Sequence, residues 1–194
     1  MFRFALSFLV TIWFAFLTAA VIQSHRPANL NAVPGLDAGS KTAPVDLLDL
    51  VEQSVWHRNT PLELAEVDVN RYLASVLNGH QSGPSAYLAQ FDRVALDFQP
   101  GICRVLFLWN SRGSRSTASL DFTVTRDRKK FVIVPVAGSY GRLPVFRGAL
   151  AILIPACRSL CTALDADVRA ILQMNEIRFE KHKVILDPRL NASK

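Results

Sequence analysis

The chain reads as an α+β domain behind one N-terminal helix of membrane length, and three observations predict this. Positions 4–22 carry no charge. The apolar period then switches from helical spacing at positions 46–77 to strand alternation at positions 94–137. A strongly apolar stretch at positions 146–164 returns to helical spacing before a closing hairpin. The 194 residues allow one domain plus a short accessory segment, and at 50% apolar and 20% charged the chain is not a disordered one. Three cysteines exclude a disulfide-framework mini-protein and a four-cysteine zinc module.

Each element follows in order. The uncharged run FALSFLVTIWFAFLTAAVI has 19 residues, which as a helix spans about 28 Å against a hydrocarbon core of about 30 Å. It is either an uncleaved anchor or a signal peptide with Thr18, Ala19 and Ala20 as a poor cleavage site. Its length favours the anchor. Arg3 before it and the body after it place the C-terminal domain outside the cytoplasm. Positions 1–22 are thus the anchor or signal segment. Positions 23–44, rich in Pro, Gly, Ala and Asn, read as a linker, and positions 45–194 as the extracytoplasmic domain.

Leu47, Leu48, Leu50, Val51 and Val55 mark a short amphipathic helix, and positions 61–64 a short strand. Val69, Tyr72, Leu73, Val76 and Leu77 make one apolar helix face. Four strands follow, separated by turn signals at Pro100-Gly101, Ser111 to Ser114 and Asp127 to Lys130, an antiparallel meander. Two of these strands keep a polar face; positions 102–109 and 131–137 have little polarity on either. Pro155 must kink or restart the apolar helix after position 146. Asp165 is positioned to cap a last helix, and positions 177–180 and 184–186 form a hairpin.

Motifs for chemistry are scarce. His25, His57, His80 and His182 show no metal-ligand spacing. His182, between Lys181 and Lys183, reads as a solvated hairpin tip. Cys157 and Cys161 share a helix face without further ligands nearby and read as small buried apolar side chains; pairing of either with Cys103 stays open. No GxSxG elbow, phosphate loop or GxGxxG is present, and no cofactor or metal is expected. The net charge of +6 is densest at Arg126, Arg128, Lys129 and Lys130. It reads as a solvated turn, with contact to anionic headgroups as the second reading. Basic residues interleaved with aromatics are lacking, so nucleic acid is not an expected partner.

Surplus apolar surface points instead to a cavity for acyl chains, since each CH₂ leaving water gains about 0.8 kcal/mol. The expected lining is Leu106, Leu108, Phe122, Val124, Val132 and Val134 from strands, with Leu150, Leu153 and Ile154 from the helix.

Three segments resemble the bacterial TULIP-like (tubular lipid-binding) membrane-anchored envelope proteins: EVDVNRYLA at 66–74, GRLPV at 141–145, and NEIRF at 175–179 with VIL at 184–186. The likeness covers positions 60–188. It departs from the pattern at Ala65, where a Ser or Thr cap is common, at Phe146, where a second Pro often follows, and in a last hairpin without Gly. The resemblance implies a curved antiparallel sheet wrapped around a long apolar helix, with Gly141 and Pro144 shaping the junction. It also implies non-catalytic binding of a lipid or other long apolar ligand at the membrane. The alternatives are a scaffolding envelope protein with a filled core, and a hydrolase using His80 or His57 beside a carboxylate.

Overall fold

The computed structural model describes residues 2–28, 30, 33–36, 45–77, 92–111, 114–127, 130–145 and 154–189. The expected loop at positions 80–85, with His80, and the expected lining residues Leu150 and Leu153 lie outside them.

The fold is α+β, with two antiparallel sheets and, among the described residues, five helices. Helix α1 (Phe2–His25) is long and apolar enough to cross a membrane or to serve as a signal sequence, and its large apolar side chains from Phe8 to Ile22 are exposed. Helices α2 (Leu47–His57) and α3 (Glu66–Leu77) flank strand β1 (Leu62–Ala65). A meander follows: β2 (Arg93–Gln99), β3 (Ile102–Ser111), β4 (Ser114–Asp127), β5 (Lys130–Tyr140) and the short β6 (Leu143–Pro144), adjacent in that order. Helices α4 (Ile154–Ala163) and α5 (Asp165–Leu172) lead to β7 (Glu176–Glu180) and β8 (Lys183–Asp187). The small second sheet has the order β1-β8-β7.

Local chemistry explains these boundaries. Asp46 caps α2 by accepting from the Asp49 N–H. Pro100 and Gly101, with φ of +75° at the glycine, make the two-residue turn between β2 and β3. Asp165 does not cap α5 as expected. Leu164 holds the cap position without a side-chain bond, and Asp165 sits in the first turn, where it pairs with Arg169 one turn on.

Strand alternation gives the large sheet two faces. The helical face carries Val94, Phe98, Val105, Phe107, Ala118, Leu120 and Phe122. Leu120 and Phe107 are essentially inaccessible there, and Leu77 and Leu160 pack on the cluster of Val94, Val105 and Phe107. The main core joins Phe98 to Leu47 and Val51 of α2, Leu73 of α3, Met174, and Leu186 of the small sheet. Tyr72 ties α3 to α5 by donating to Asp167 at 2.7 Å.

The opposite face carries Arg93, Ala95, Asp97, Arg104, Leu106, Leu108, Thr117, Ser119 and Asp121. Residues 26–28, 30 and 33–36, expected as part of a linker, lie across it as a strap. Val33 is buried against Ala95 and Leu106, and the Ala28 N–H donates to Thr117 Oγ1. Arg93 donates to the Leu36 carbonyl and Arg142 to that of Pro27. Buried Asn70 fastens the strap's far end. Its amide donates to the carbonyls of Pro34 and Leu96, and its oxygen accepts from the Leu96 N–H at 2.7 Å.

Gly141 joins α1 to the sheet. At φ +57° its Cα faces the end of the helix, where a Cβ would stand 2.4 Å from the carbonyl oxygens of Ser24 and Arg26. The neighbouring Arg142 N–H donates to the Gln23 carbonyl at 3.0 Å. Gly141→Ala is therefore expected to undock the helix end and cost about 1–3 kcal/mol. Faster tryptic cleavage at Arg26, with a lowered melting temperature, is the readout.

Candidate functional site

Between the strap, the strap-side face of β2–β5 and the β7–β8 turn lies a cleft of about 880 Å³. Val33, Leu106, Ala137 and Pro144 give it apolar walls. Asp97, Arg104, Ser119, Asp121, Ser139, Lys181 and His182 give it polar ones.

Register builds the charged floor. Asp97 stands opposite Arg104, and Arg104 opposite Asp121, in three neighbouring strands. Arg104 donates from Nε and Nη2 to the two oxygens of Asp121 at 2.7 and 2.9 Å, a two-pronged pair, and from Nη1 to Asp97 at 3.4 Å. The bond to Asp121 holds the guanidinium pKa above its ordinary value. Asp97 also accepts from Gln99, and the hydroxyls of Ser119 and Ser139 bond at 2.9 Å.

At the mouth, His182 has φ +60°, the left-handed conformation that the glycine missing from this turn would adopt freely. Three contacts hold it there. Its N–H donates to the Phe98 carbonyl, its carbonyl accepts from the Glu66 N–H, and its Nδ1 lies 3.1 Å from Glu66 Oε2. The same carboxylate oxygen accepts from the Phe98 N–H at 3.0 Å. Glu66 is 1% exposed, and its Oε1 has no hydrogen-bond partner among the described residues. Burial raises its pKa above the ordinary value, while the Phe98 and His182 bonds work against that rise.

Thiol chemistry is disfavoured at the three cysteines, which are free. Burial pushes the Cys103 and Cys157 thiols up to about 12, so both stay protonated at neutral pH. Among the described residues no group of three or more His, Cys, Asp or Glu side chains could hold a metal ion.

The expected lining residues do not come together. Leu106 lines the cleft, and Leu108 shares its face and packs on the strap cluster. Val132 and Val134 pair with Thr125 and Thr123 on that face farther out, and are 41% and 39% exposed. Phe122 and Val124 point to the helical side. Ile154 is exposed at the start of α4. The reason is pleat parity. In a strand apolar on both faces, consecutive even positions cannot be assigned to a side from the strand alone. Sequence reasoning missed the Asp97–Arg104–Asp121 row and the Glu66–His182 contact; its placement of His182 at a solvated hairpin tip holds, with the side chain 44% exposed in the β7–β8 turn. The signal for the row was present in the two turns, which fix the register. The Glu66–His182 contact joins residues 116 apart in sequence and leaves no local signal.

Compared with models of known protein families and with curated protein sequences, the chain matches none.

Proposed function

We propose that the protein is a membrane-tethered, extracytoplasmic, non-catalytic domain that binds a lipid or another amphiphile with a long apolar part. In this reading α1 is the anchor and the body stands outside the cytoplasm. The sheet curves about the apolar helical segment in the manner of the tubular lipid-binding envelope proteins it resembles. The observation that carries the reading is the cleft. Apolar walls from Val33, Leu106, Ala137 and Pro144 suit a hydrocarbon tail, and Arg104, Lys181 and His182 at its polar side suit a headgroup. Opposite Asp121 and Phe122 the pairing skips Val136, a bulge that bends β5 beside the cleft and supports a curved sheet.

The scaffold alternative draws on a different observation, the filled helical face of the sheet, where Leu120 and Phe107 are sealed off. One experiment separates the two. Full-length protein is purified, and the lipid it retains is extracted and quantified by mass spectrometry. Ala137→Trp, which fills the cleft from its wall, is expected to lower the retained lipid several-fold while far-UV circular dichroism is unchanged. Equal retention by both proteins, at the level of a control membrane protein, sinks the binding reading and leaves the scaffold.

A further inference from the structure

The lining of the cleft stands in a fixed order across the large sheet. Register sets Asp97 on β2 opposite Arg104 on β3, Arg104 opposite Asp121 on β4, and Asp121 opposite Ala137 on β5. Pro144 on β6, opposite Ser139, ends the apolar side. Each member lies one strand spacing, about 5 Å, from the next. Hydrogen-bonding capacity is left over at two places in this row. Arg104 has five N–H donors and uses one on each nitrogen, so each terminal nitrogen keeps an N–H without a partner among the described residues. Both bonds that Asp97 accepts, from Gln99 and Arg104, fall on Oδ2, and Oδ1 has none among the described residues. Asp121, by contrast, has both oxygens engaged by Arg104.

We propose that the cleft takes a lipid whose headgroup carries both a phosphate and a primary ammonium, of the phosphoethanolamine class. The inference rests on the lipid-binding reading above and names its ligand. The tail lies over Ala137, Pro144, Leu106 and Val33. The phosphate accepts from the two open N–H groups of Arg104, and the ammonium donates to Asp97 Oδ1. A two-carbon spacer sets phosphate and ammonium about 5 Å apart, the step from one strand to the next. Charge selects against the other headgroups. The lining sets Asp97 and Asp121 against Arg104 and Lys181, and His182 is turned to Glu66. A purely anionic headgroup would meet two carboxylates and bring no cation of its own to offset them. A choline has no N–H for Asp97 and is held best by aromatic faces. Phe98 is the one aromatic side chain in the lining among the described residues, and it is 2% exposed.

The test uses the full-length protein, incubated with an equimolar mixture of phosphatidylethanolamine, phosphatidylcholine, phosphatidylglycerol and a neutral glycolipid of matched acyl chains. Bound lipid is quantified by class after repurification. Lipid that Ala137→Trp no longer retains is the cleft fraction, which separates it from lipid around α1. That fraction is expected to hold several-fold more phosphatidylethanolamine than any other class. D97N keeps the shape of the side chain and its acceptor oxygen but removes the counter-charge of the ammonium. It is expected to abolish the preference at an unchanged melting temperature, with lipid still bound. A cleft fraction without class preference, or dominated by another class, overturns the proposal and leaves the lipid-binding reading standing. So does a preference that D97N does not alter. Absence of any cleft fraction sinks the lipid-binding reading itself, and this proposal with it.

Discussion

Arg104→Ala is expected to lower stability by about 3 kcal/mol, a fall of about 10 °C in melting temperature for a domain of this size. The substitution leaves two carboxylates without their cation, Asp121 at 9% and Asp97 at 14% side-chain exposure. Removing one partner of a buried pair costs about 3–5 kcal/mol, because the remaining charge has already lost its water. Arg104 is itself a third exposed, so the lower end of that range applies. The paired change R104M/D121L removes the donor and its principal acceptor together, and Asp97 keeps its bond from Gln99. It is expected to cost less than Arg104→Ala alone. Urea unfolding of the three proteins decides the matter: if the double variant is the less stable, the row is held together by something other than charge compensation.

The second large effect concerns Glu66 and has an unusual pH sign. Glu66→Ala deletes a fully buried side chain, strands the Phe98 N–H and releases His182, at an expected cost of about 3 kcal/mol. Glu66→Gln keeps the shape and an acceptor for Phe98 and isolates the charge. The folded-state pKa of Glu66 lies above its ordinary value of 4.5, so the native protein binds this proton more tightly than the unfolded chain does. Its contribution is therefore fully present below about pH 4.5 and is lost as pH rises through the raised value. Carboxylates in good ion pairs behave in the opposite way. Denaturant midpoints measured from pH 4 to pH 7 should show wild type losing ground to E66Q as pH increases. A constant gap between the two would mean that the buried carboxylate titrates normally.

The architecture was largely written in local signals. Helix α3 begins and ends where its apolar period does, and the meander follows from three turn signals and the alternation around them. Part of the site was legible by the same logic. A two-residue turn at Pro100 and Gly101 sets Gln99 against Ile102, and hence Asp97 against Arg104. The turn after Ser111 sets it against Ser114, and hence Arg104 against Asp121. What could not be read locally was tertiary. The strap binds through carbonyls of Pro27, Pro34 and Leu36, which every residue type possesses. The bulge opposite Asp121 and Phe122 shifts the pairing of β5, so alternation within β5 alone does not say which side Val132 and Val134 occupy. His182 is the solvated tip its flanking lysines suggest, but that it also reaches Glu66 shows only once the chain has folded.

The strap has a further consequence for processing. The contacts of the helix end and strap with the sheet begin at the Gln23 carbonyl, in the last turn of α1, just after the uncharged run ends at Ile22. A protease that severed the chain ahead of Gln23 would release a body still wearing its own belt, with Pro27, Val33 and Pro34 fastened as before. Loss of the apolar run would thus change the protein's address without loosening its buckle.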